Sequence, residues 1–522
     1  MKRAILLACI ATAIIGCQKK ESLPVKPKQS LTLAFTGDPR SLDPLVGIDD
    51  PSCQILDMIG EGLYRMGPGG KLTPGLATSH TVSPDGLTYT FTLRKSTWSN
   101  GDPLTAHDVE ASWKRAARPE HALGAYYLAA IENLQDALEG RASADTIGVK
   151  ALDETTLRVR LKHPLPTFPE MTAMSAYFPV HRNAREGICP NLPITNGPFV
   201  LTVNAPHDRI VVKKNARYWD QQSVNLEQIE VVIVPDINTQ ASLFERGELD
   251  WFGAPFTYLP NHMIPALDKR YGIHECASSE VAWIFVNTQA PPFNNAKMRR
   301  AFAYATNRGA ISSNLLNKLA HPNQALLPRS MALTRTPYFE DGNIVRAQQL
   351  FHEALEEMGM SADQLPPITL YSRNCDLKHQ INQALQAQWQ AAFGIPIELR
   401  REEWNVYYER ISRGEYQLGA MSWVTSIDDP IWFLQVFDAR DIGVNRTRWE
   451  NTAYSDLLAK SQKVVEMADR QALMQQAEAL LMEEMPVIPL FSIRDAYLKR
   501  EGLEGVFLSN LSQVDFKWAR WE

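Results

Sequence analysis

The chain has 522 residues, of which 45% are hydrophobic and 21% are charged, and its formal net charge is −6 at pH 7. These proportions are ordinary for a globular protein and exclude wholesale disorder. The acidic balance argues against nucleic acid or anionic lipid as the main partner, because either would favour a basic surface. The length is sufficient for about three domains, each with its own core.

The N-terminal segment has the pattern of an export signal. Met1-Lys2-Arg3 precede an apolar run at 4–15, and Gly16 and Cys17 follow it. The run is shorter than the roughly 17 to 25 residues that a membrane-spanning helix needs. The arrangement resembles a bacterial lipoprotein leader, which implies a signal peptide at 1–16 and lipidation of Cys17; a plain secretory signal or an uncleaved anchor is the alternative. The polar, proline-interrupted stretch at 17–29 suits a flexible tether.

Four further cysteines would remain in the mature chain: Cys53, Cys189, Cys276 and Cys375. No two of them form a CxxC pair, so we expect no structural zinc site. An exported compartment permits disulfides, and four cysteines allow three complete pairings, between which the sequence does not choose.

Residues 76–109 hold the strongest local signals. Ser83-Pro84-Asp85-Gly86 predicts a turn, and apolar residues then alternate with polar ones over 87–94 at the two-residue period of a half-buried strand. After a second turn at 100–103, Thr105 and Asp108 have the spacing of a capping box. We therefore expect a helix from Ala106 to Ala117.

Short β-like runs and longer helical patterns are interleaved along the rest of the chain. The predicted strands lie at 31–35, 157–161, 231–234, 281–286 and 368–370, and the run at 231–234 is apolar enough for a fully buried strand. The predicted helices lie at 54–64, 344–358, 376–393 and 455–484. The fold class is therefore α/β or mixed.

The block at 76–109 resembles the signature region of bacterial extracellular solute-binding proteins of family 5, the oligopeptide-binding type that feeds ABC importers. Further motifs match in the family's order: Thr195-Asn196-Gly197-Pro198-Phe199, Arg217-Tyr218-Trp219, Arg246-Gly247-Glu248-Leu249-Asp250, Pro291-Pro292-Phe293-Asn294-Asn295 and Arg299-Arg300-Ala301-Phe302. The resemblance implies a two-lobed α/β periplasmic-binding-protein fold of class II type with an additional third domain. It divides the chain into lobe I at 30–64, 196–277 and 494–522, an extra domain at 65–195, and lobe II at 278–493.

Motifs for catalysis are missing from the sequence. There is no GxSxG elbow, HExxH pair or GxxxxGK[ST] loop, and the 11 histidines do not cluster. A Ser/His/Asp set assembled only by folding is the remaining enzymatic alternative. We therefore expect no enzyme activity, no cofactor and no metal site.

The resemblance places ligand-binding residues in two segments of lobe II, at 402–405 and 422–430. It implies that Trp404, Ser422, Trp423 and Val424 line the solute pocket, where large aromatic rings can stack on many side chains. Core packing is the alternative for both tryptophans. In lobe I, the resemblance aligns Gly47, Ile48 and Asp49 with the strand that pairs with the peptide backbone, and a solvated loop is the alternative for Asp49 and Asp50.

One departure from the family concerns the peptide amino terminus. The family usually has an aspartate three residues after the second pocket tryptophan, where it pairs with the peptide α-ammonium, and this chain has Ser426. Because a buried ammonium without a counter-ion is costly, either Glu280, Asp428 or Asp429 substitutes, or the preferred ligand lacks an ordinary free amino terminus. Relatives often carry a disulfide beside the site, at the positions of Glu280 and Val424, so we expect that bridge to be missing.

These expectations combine into one function. The chain is expected to be a lipid-anchored receptor in the periplasm or on the outer face of the cytoplasmic membrane. As a monomer, it would capture short peptides and deliver them to the permease subunits of an ABC transporter. Alternative solutes on the same scaffold are peptidoglycan-derived peptides, a metal chelate or haem. A non-transport surface lipoprotein, such as an adhesin, is the alternative of a different class, and no nucleic-acid partner is expected.

Overall fold

The computed structural model describes residues 29–185, 192–317, 319–425, 427–439 and 445–522. Within these ranges, no helix has the length and apolarity that a membrane crossing requires. Three positions of interest lie outside the described residues, namely the predicted lipidation site Cys17, the cysteine Cys189 and the departure at Ser426.

Seventeen strands of three or more residues occur in the described part of the chain. In chain order they are Ser30–Phe35 (β1), Tyr64–Gly67 (β2), Lys71–Pro74 (β3), Ala77–Val82 (β4), Thr88–Leu93 (β5), Val149–Ala151 (β6), Thr156–Arg160 (β7), Phe199–Ala205 (β8), Arg209–Lys214 (β9), Gln228–Ile233 (β10), Trp251–Gly253 (β11), His274–Val286 (β12), Ala320–Pro322 (β13), Ile368–Arg373 (β14), Ile397–Glu402 (β15), Leu418–Trp423 (β16) and Val487–Lys499 (β17).

Twelve α-helices of seven or more residues accompany these strands in the described ranges. They are Asp50–Ile59 (α1), Ala106–Lys114 (α2), Ala122–Leu128 (α3), Ile237–Arg246 (α4), Ile264–Tyr271 (α5), Ala296–Tyr304 (α6), Arg308–Leu315 (α7), Ile344–Met358 (α8), Asp376–Phe393 (α9), Trp404–Arg413 (α10), Thr452–Ser461 (α11) and Met467–Glu484 (α12).

A four-stranded mixed sheet lies in the segments assigned to lobe I. Its order is β1-β10-β9-β8, with β1 parallel to β10 and the other neighbours antiparallel. Strand β10 buries Ile229 and Val231 but leaves Val232 only partly buried. The expectation of a fully buried strand at 231–234 is therefore wrong, because the second face of the sheet packs only against the smaller cluster around Phe244 of α4.

The segment assigned to the extra domain, 65–195, contains the antiparallel sheet β4-β5-β7-β6. The predicted turn, strand and capping box at 76–109 are confirmed. Gly86 N–H donates to the carbonyl of Ser83 at 2.8 Å, and Thr105 N–H donates to the Asp108 carboxylate at 3.0 Å. Helix α2 ends at Lys114, three residues earlier than predicted, and continues as one 3₁₀ turn to Ala117.

The largest sheet has the order β11-β17-β12-β16-β14-β15, and β13 also pairs with β17. Strands β12 and β17 have 13 residues each, which is about 43 Å of extended chain. Strand β17 pairs with β11 and β12 pairs with β17, and both long strands run from the segments assigned to lobe I into the segment assigned to lobe II. Their ladder is interrupted between Ala277 and Val281. The protein is thus a two-lobed α/β fold.

Most predicted elements are confirmed, and two helices besides α2 need correction. Helix α1 replaces the helix predicted at 54–64, because the Asp49 carboxylate caps it by accepting from Ser52 N–H at 3.1 Å and it ends before Gly60. The helix predicted at 455–484 is two helices, α11 and α12. In the linker between them, Val465 lines a small cavity together with Pro164 of the extra domain.

Candidate ligand-binding site

A cavity of about 210 Å³ lies beside the middle of β12 and the end of β16. It is lined by Glu280, Arg373, Lys378, Trp404, Tyr407, Ala420, Met421, Ser422, Trp423 and Val424. The structure therefore brings together five of the residues predicted from the sequence, Glu280, Trp404, Ser422, Trp423 and Val424. The strand register explains the meeting, because Val281 pairs with Trp423 in an antiparallel ladder and Glu280 immediately precedes Val281.

The two tryptophans contribute to this cavity differently. Trp404 is the first residue of α10 and remains 45% exposed, so it forms a rim of the cavity. Trp423 is partly buried and stacks on the fully buried Trp283, with ring centroids 6.4 Å apart and an interplanar angle of 15°. One face of the Trp423 ring thus packs in the core, whereas most of the Trp404 side chain does not.

Two cations on the cavity wall were not among the predicted residues. Arg373 is the last residue of β14, and Lys378 lies in the first turn of α9, where its ammonium donates to the Ser422 hydroxyl at 3.0 Å. Burial lowers the pKa of Lys378, the charge of Arg373 lowers it further, and Glu280 opposes both effects. The sequence signal that could have found Lys378 is a lysine at a helix N-terminus, where a positive charge opposes the helix dipole.

Glu280 on the cavity wall acts electrostatically on Asp495, a carboxylate in the segment assigned to lobe I. Burial raises the pKa of Asp495 on β17 to about 6; a hydrogen bond from the Ser512 hydroxyl at 2.6 Å opposes this shift, while Glu280 and Asp50 add to it. The charge of Glu280 therefore acts on a carboxylate of lobe I, and its side chain lines the cavity in lobe II. This position is suitable for a group that meets the charged end of a solute between the lobes.

The segment predicted to pair with a peptide backbone in lobe I precedes helix α1. Gly47, Ile48 and Asp49 form an irregular segment that leads into α1, and none of them lines the 210 Å³ cavity. Asp49 serves as the cap of α1, and a Cβ at Gly47 would lie 2.1 Å from the carbonyl oxygen of Ser41. Close packing therefore explains this glycine, and the pairing of 47–49 with a peptide backbone stays a prediction.

The two aspartates proposed as substitutes for the missing counter-ion occupy contrasting environments. Asp429 is fully buried, pairs with the Arg470 guanidinium at 2.8 Å and accepts a hydrogen bond from the Thr167 hydroxyl at 3.0 Å. Its charge is already neutralised inside the protein, so the prediction that Asp429 meets the ligand is wrong. Asp428 is exposed and accepts from the Asn510 amide at 3.1 Å, across the junction with lobe I.

The described cysteines Cys53, Cys276 and Cys375 are all free. Burial raises the pKa of the Cys53 thiol to about 12, with a smaller contribution from the charge of Asp57. Glu280 and Val424, which stand where relatives often have a bridge, share the cavity wall instead.

A two-lobed α/β protein that places a mixed aromatic and charged cavity beside the strands joining its lobes has the architecture of a solute-binding protein. The sequence profile of bacterial extracellular solute-binding proteins, family 5, matches residues 71–443. The chain is 35% identical over 514 residues to the oligopeptide-binding protein OppA of Bacillus subtilis, covering 96% of this chain and 94% of the relative. It belongs to this family.

Two further comparisons show the same relationship. The dipeptide-binding protein DppE of Bacillus subtilis is 31% identical over 531 residues, covering 98% of this chain and 96% of the relative. The solved structure of the periplasmic murein tripeptide-binding protein MppA in its unliganded open form aligns with a TM-score of 0.84 at 26% identity, covering 95% of this chain and 97% of that one.

Proposed function

We propose that this protein captures short peptides outside the cytoplasm and delivers them to the permease of an ABC transporter, with no reaction of its own. The observation that carries the proposal is the cavity in which Glu280 and two tryptophans meet beside the strands that join the lobes. Relatives described as oligopeptide-binding and dipeptide-binding proteins, at 35% and 31% identity, support peptides as the solute class.

Each part of the cavity has a role in this proposal. Trp404 and Trp423 present flat apolar surfaces that accept many side chains, which suits a receptor for peptides of varied sequence. The Glu280 carboxylate supplies the negative charge that Ser426 lacks, and so pairs with the peptide α-ammonium. Asp428 is the second candidate for that role. Closure of the lobes would then remove the peptide from water and strengthen these charged contacts.

The direct test is titration calorimetry of the mature protein with short peptides, accompanied by tryptophan fluorescence. We expect peptide binding to change the emission, and Trp423→Ala to weaken binding by about 1–3 kcal/mol, as removal of a packed aromatic anchor does. The matched control is Trp518→Ala, because Trp518 is partly buried and does not line the cavity. Unchanged peptide affinity of Trp423→Ala, together with a large fall in melting temperature, would make Trp423 a core residue and contradict its role in binding.

A lipid anchor at Cys17 is part of the proposal, supported by the leader pattern at 1–17. Several acyl chains hold a protein on a membrane stably, whereas one chain gives only marginal binding of about 10⁴ per molar. In the native host, Cys17→Ser should abolish incorporation of labelled fatty acid and leave unprocessed precursor. Cys53→Ser is the control and should be labelled normally. Normal labelling of Cys17→Ser would contradict the anchor.

The division into lobe I, extra domain and lobe II at the boundaries given above is likewise our proposal. Its support at 277–278 is the interrupted ladder between β12 and β17, which would permit bending there. We also propose that the protein acts as a monomer.

A murein-derived peptide is the second candidate solute. The TM-score of 0.84 to the murein tripeptide-binding protein favours it, and the same calorimetry with a murein tripeptide tests it.

A further inference from the structure

Arg373 and Lys378 are the two cations that line the cavity, where Arg373 is exposed and Lys378 is partly buried. Among the described residues, neither has a carboxylate within 4.0 Å, and the direct partner of Lys378 is the neutral Ser422 hydroxyl. Nearby arginines differ in this respect. Arg400, Arg401 and Arg410 pair with Glu398, Asp376 and Glu402 at 2.8 to 3.0 Å.

The position of Lys378 adds to this contrast. It is the third residue of the 18-residue helix α9, where a positive charge is unfavourable to the helix. It is also partly buried on the cavity wall, and burial lowers its pKa. An unpaired and partly desolvated cation in such a place stabilises neither the helix nor an internal ion pair. A negatively charged group of the solute would satisfy it.

The position of Glu280 limits which carboxylate of a peptide can pair with Lys378. Glu280 lines the same cavity as Arg373 and Lys378, so an ammonium that it holds lies close to both cations. If Glu280 holds the α-ammonium, as the proposed function states, the carboxylate that reaches Lys378 has to come from a residue close to the amino terminus. The terminal carboxylate of a longer peptide is too far along the chain.

Resting on the proposed function, we infer that this cavity selects peptides with an acidic side chain close to the amino terminus. Lys378 and Arg373 hold the carboxylate, and the rings of Trp404 and Trp423 pack against the methylene groups that carry it. Charge-assisted hydrogen bonds of this kind are stronger than neutral ones, so the selection should appear as a difference in affinity between glutamate and glutamine at one peptide position.

The test is calorimetry of the wild-type protein with the tripeptide amides Ala-Glu-Ala, Ala-Gln-Ala and Ala-Lys-Ala. Amidation removes the terminal carboxylate as a competing source of negative charge, and the free acid of Ala-Gln-Ala measures that source separately. We expect the glutamate peptide to bind at least about tenfold more tightly than the glutamine peptide, and the lysine peptide to bind most weakly.

Substitutions of single cations test which residues cause the preference for the glutamate peptide. Lys378→Gln and Arg373→Gln should each reduce the preference for glutamate while leaving the affinity for the glutamine peptide within about threefold of wild type. Arg400→Gln removes the same charge from an exposed position outside the cavity and should preserve the preference. Equal reduction by Arg400→Gln would show that long-range charge, rather than the cavity, causes the preference.

The outcomes separate the two levels of the proposal. Equal affinity for the glutamate and glutamine amides, with measurable binding of both, would overturn the acidic-side-chain inference and leave peptide capture intact. Stronger binding of the free acid of Ala-Gln-Ala than of the glutamate amide would assign the cations to a terminal carboxylate and also overturn it. Absence of binding for every peptide would overturn the proposed function itself.

Discussion

Replacing Asp429 with asparagine should lower the free energy of unfolding by about 3–5 kcal/mol, because it leaves the Arg470 guanidinium buried without its counter-ion. Both side chains are almost fully buried, and their atoms are 2.8 Å apart. The same carboxylate also accepts from Thr167 of the extra domain, so the change weakens a contact between that domain and lobe II. Urea unfolding followed by tryptophan fluorescence measures the effect.

The neighbouring Asp428 provides a matched control for this prediction. It is exposed, so Asp428→Asn should change the free energy of unfolding by no more than about 0.5 kcal/mol. Folded Asp429→Asn protein, held at low temperature, should bind peptide with nearly wild-type affinity. A stable variant that has lost peptide binding would show that Asp429 takes part in ligand binding.

Glu280→Gln should weaken the binding of a peptide with a free amino terminus by about 2–5 kcal/mol, the usual consequence of removing one partner of a buried charge pair. The physical reason is that the peptide ammonium loses its negative partner in a cavity where Arg373 and Lys378 are already positive. Calorimetry with one peptide in its free and N-acetylated forms measures the effect. Wild type should prefer the free form, and the variant should distinguish the two forms poorly.

Glu275 provides the control for this change. It lies on the same strand β12, is exposed, and pairs with Arg494 away from the cavity. Glu275→Gln should therefore retain the wild-type preference for the free amino terminus. Equal affinity of wild type for the free and acetylated peptides would contradict the role given to Glu280 and favour a ligand whose amino group is not recognised.

The sequence predicts the bounds of a helix correctly where the signals for its start and end lie within the same segment. The helices at 344–358 and 376–393 begin and end as predicted, because amphipathic spacing and the following glycines define them within one segment. The break between α11 and α12 could not be predicted in this way. The linker at 462–466 contains neither glycine nor proline, so it carries no local signal for a helix end.

The site was predicted in part, and only through the family resemblance. Periodicity gives a strand at 281–286, but the meeting of Glu280 with Trp423 requires the register of β12 against β16, residues more than 130 positions apart. The prediction that Asp429 binds the ligand was wrong because it, too, depends on contacts between residues far apart in the sequence. Its partners Thr167 and Arg470 lie far away in the sequence, and nothing local indicates that they neutralise it.

Peptide capture is tested most directly by native mass spectrometry of the mature protein purified from its own cells. The masses of ligands released from the complex identify the solute without any choice of candidate by the experimenter. We expect bound species whose masses and fragmentation correspond to short peptides, lost from the protein on unfolding. A homogeneous non-peptide solute, such as a metal chelate or haem, would contradict peptide capture on this scaffold.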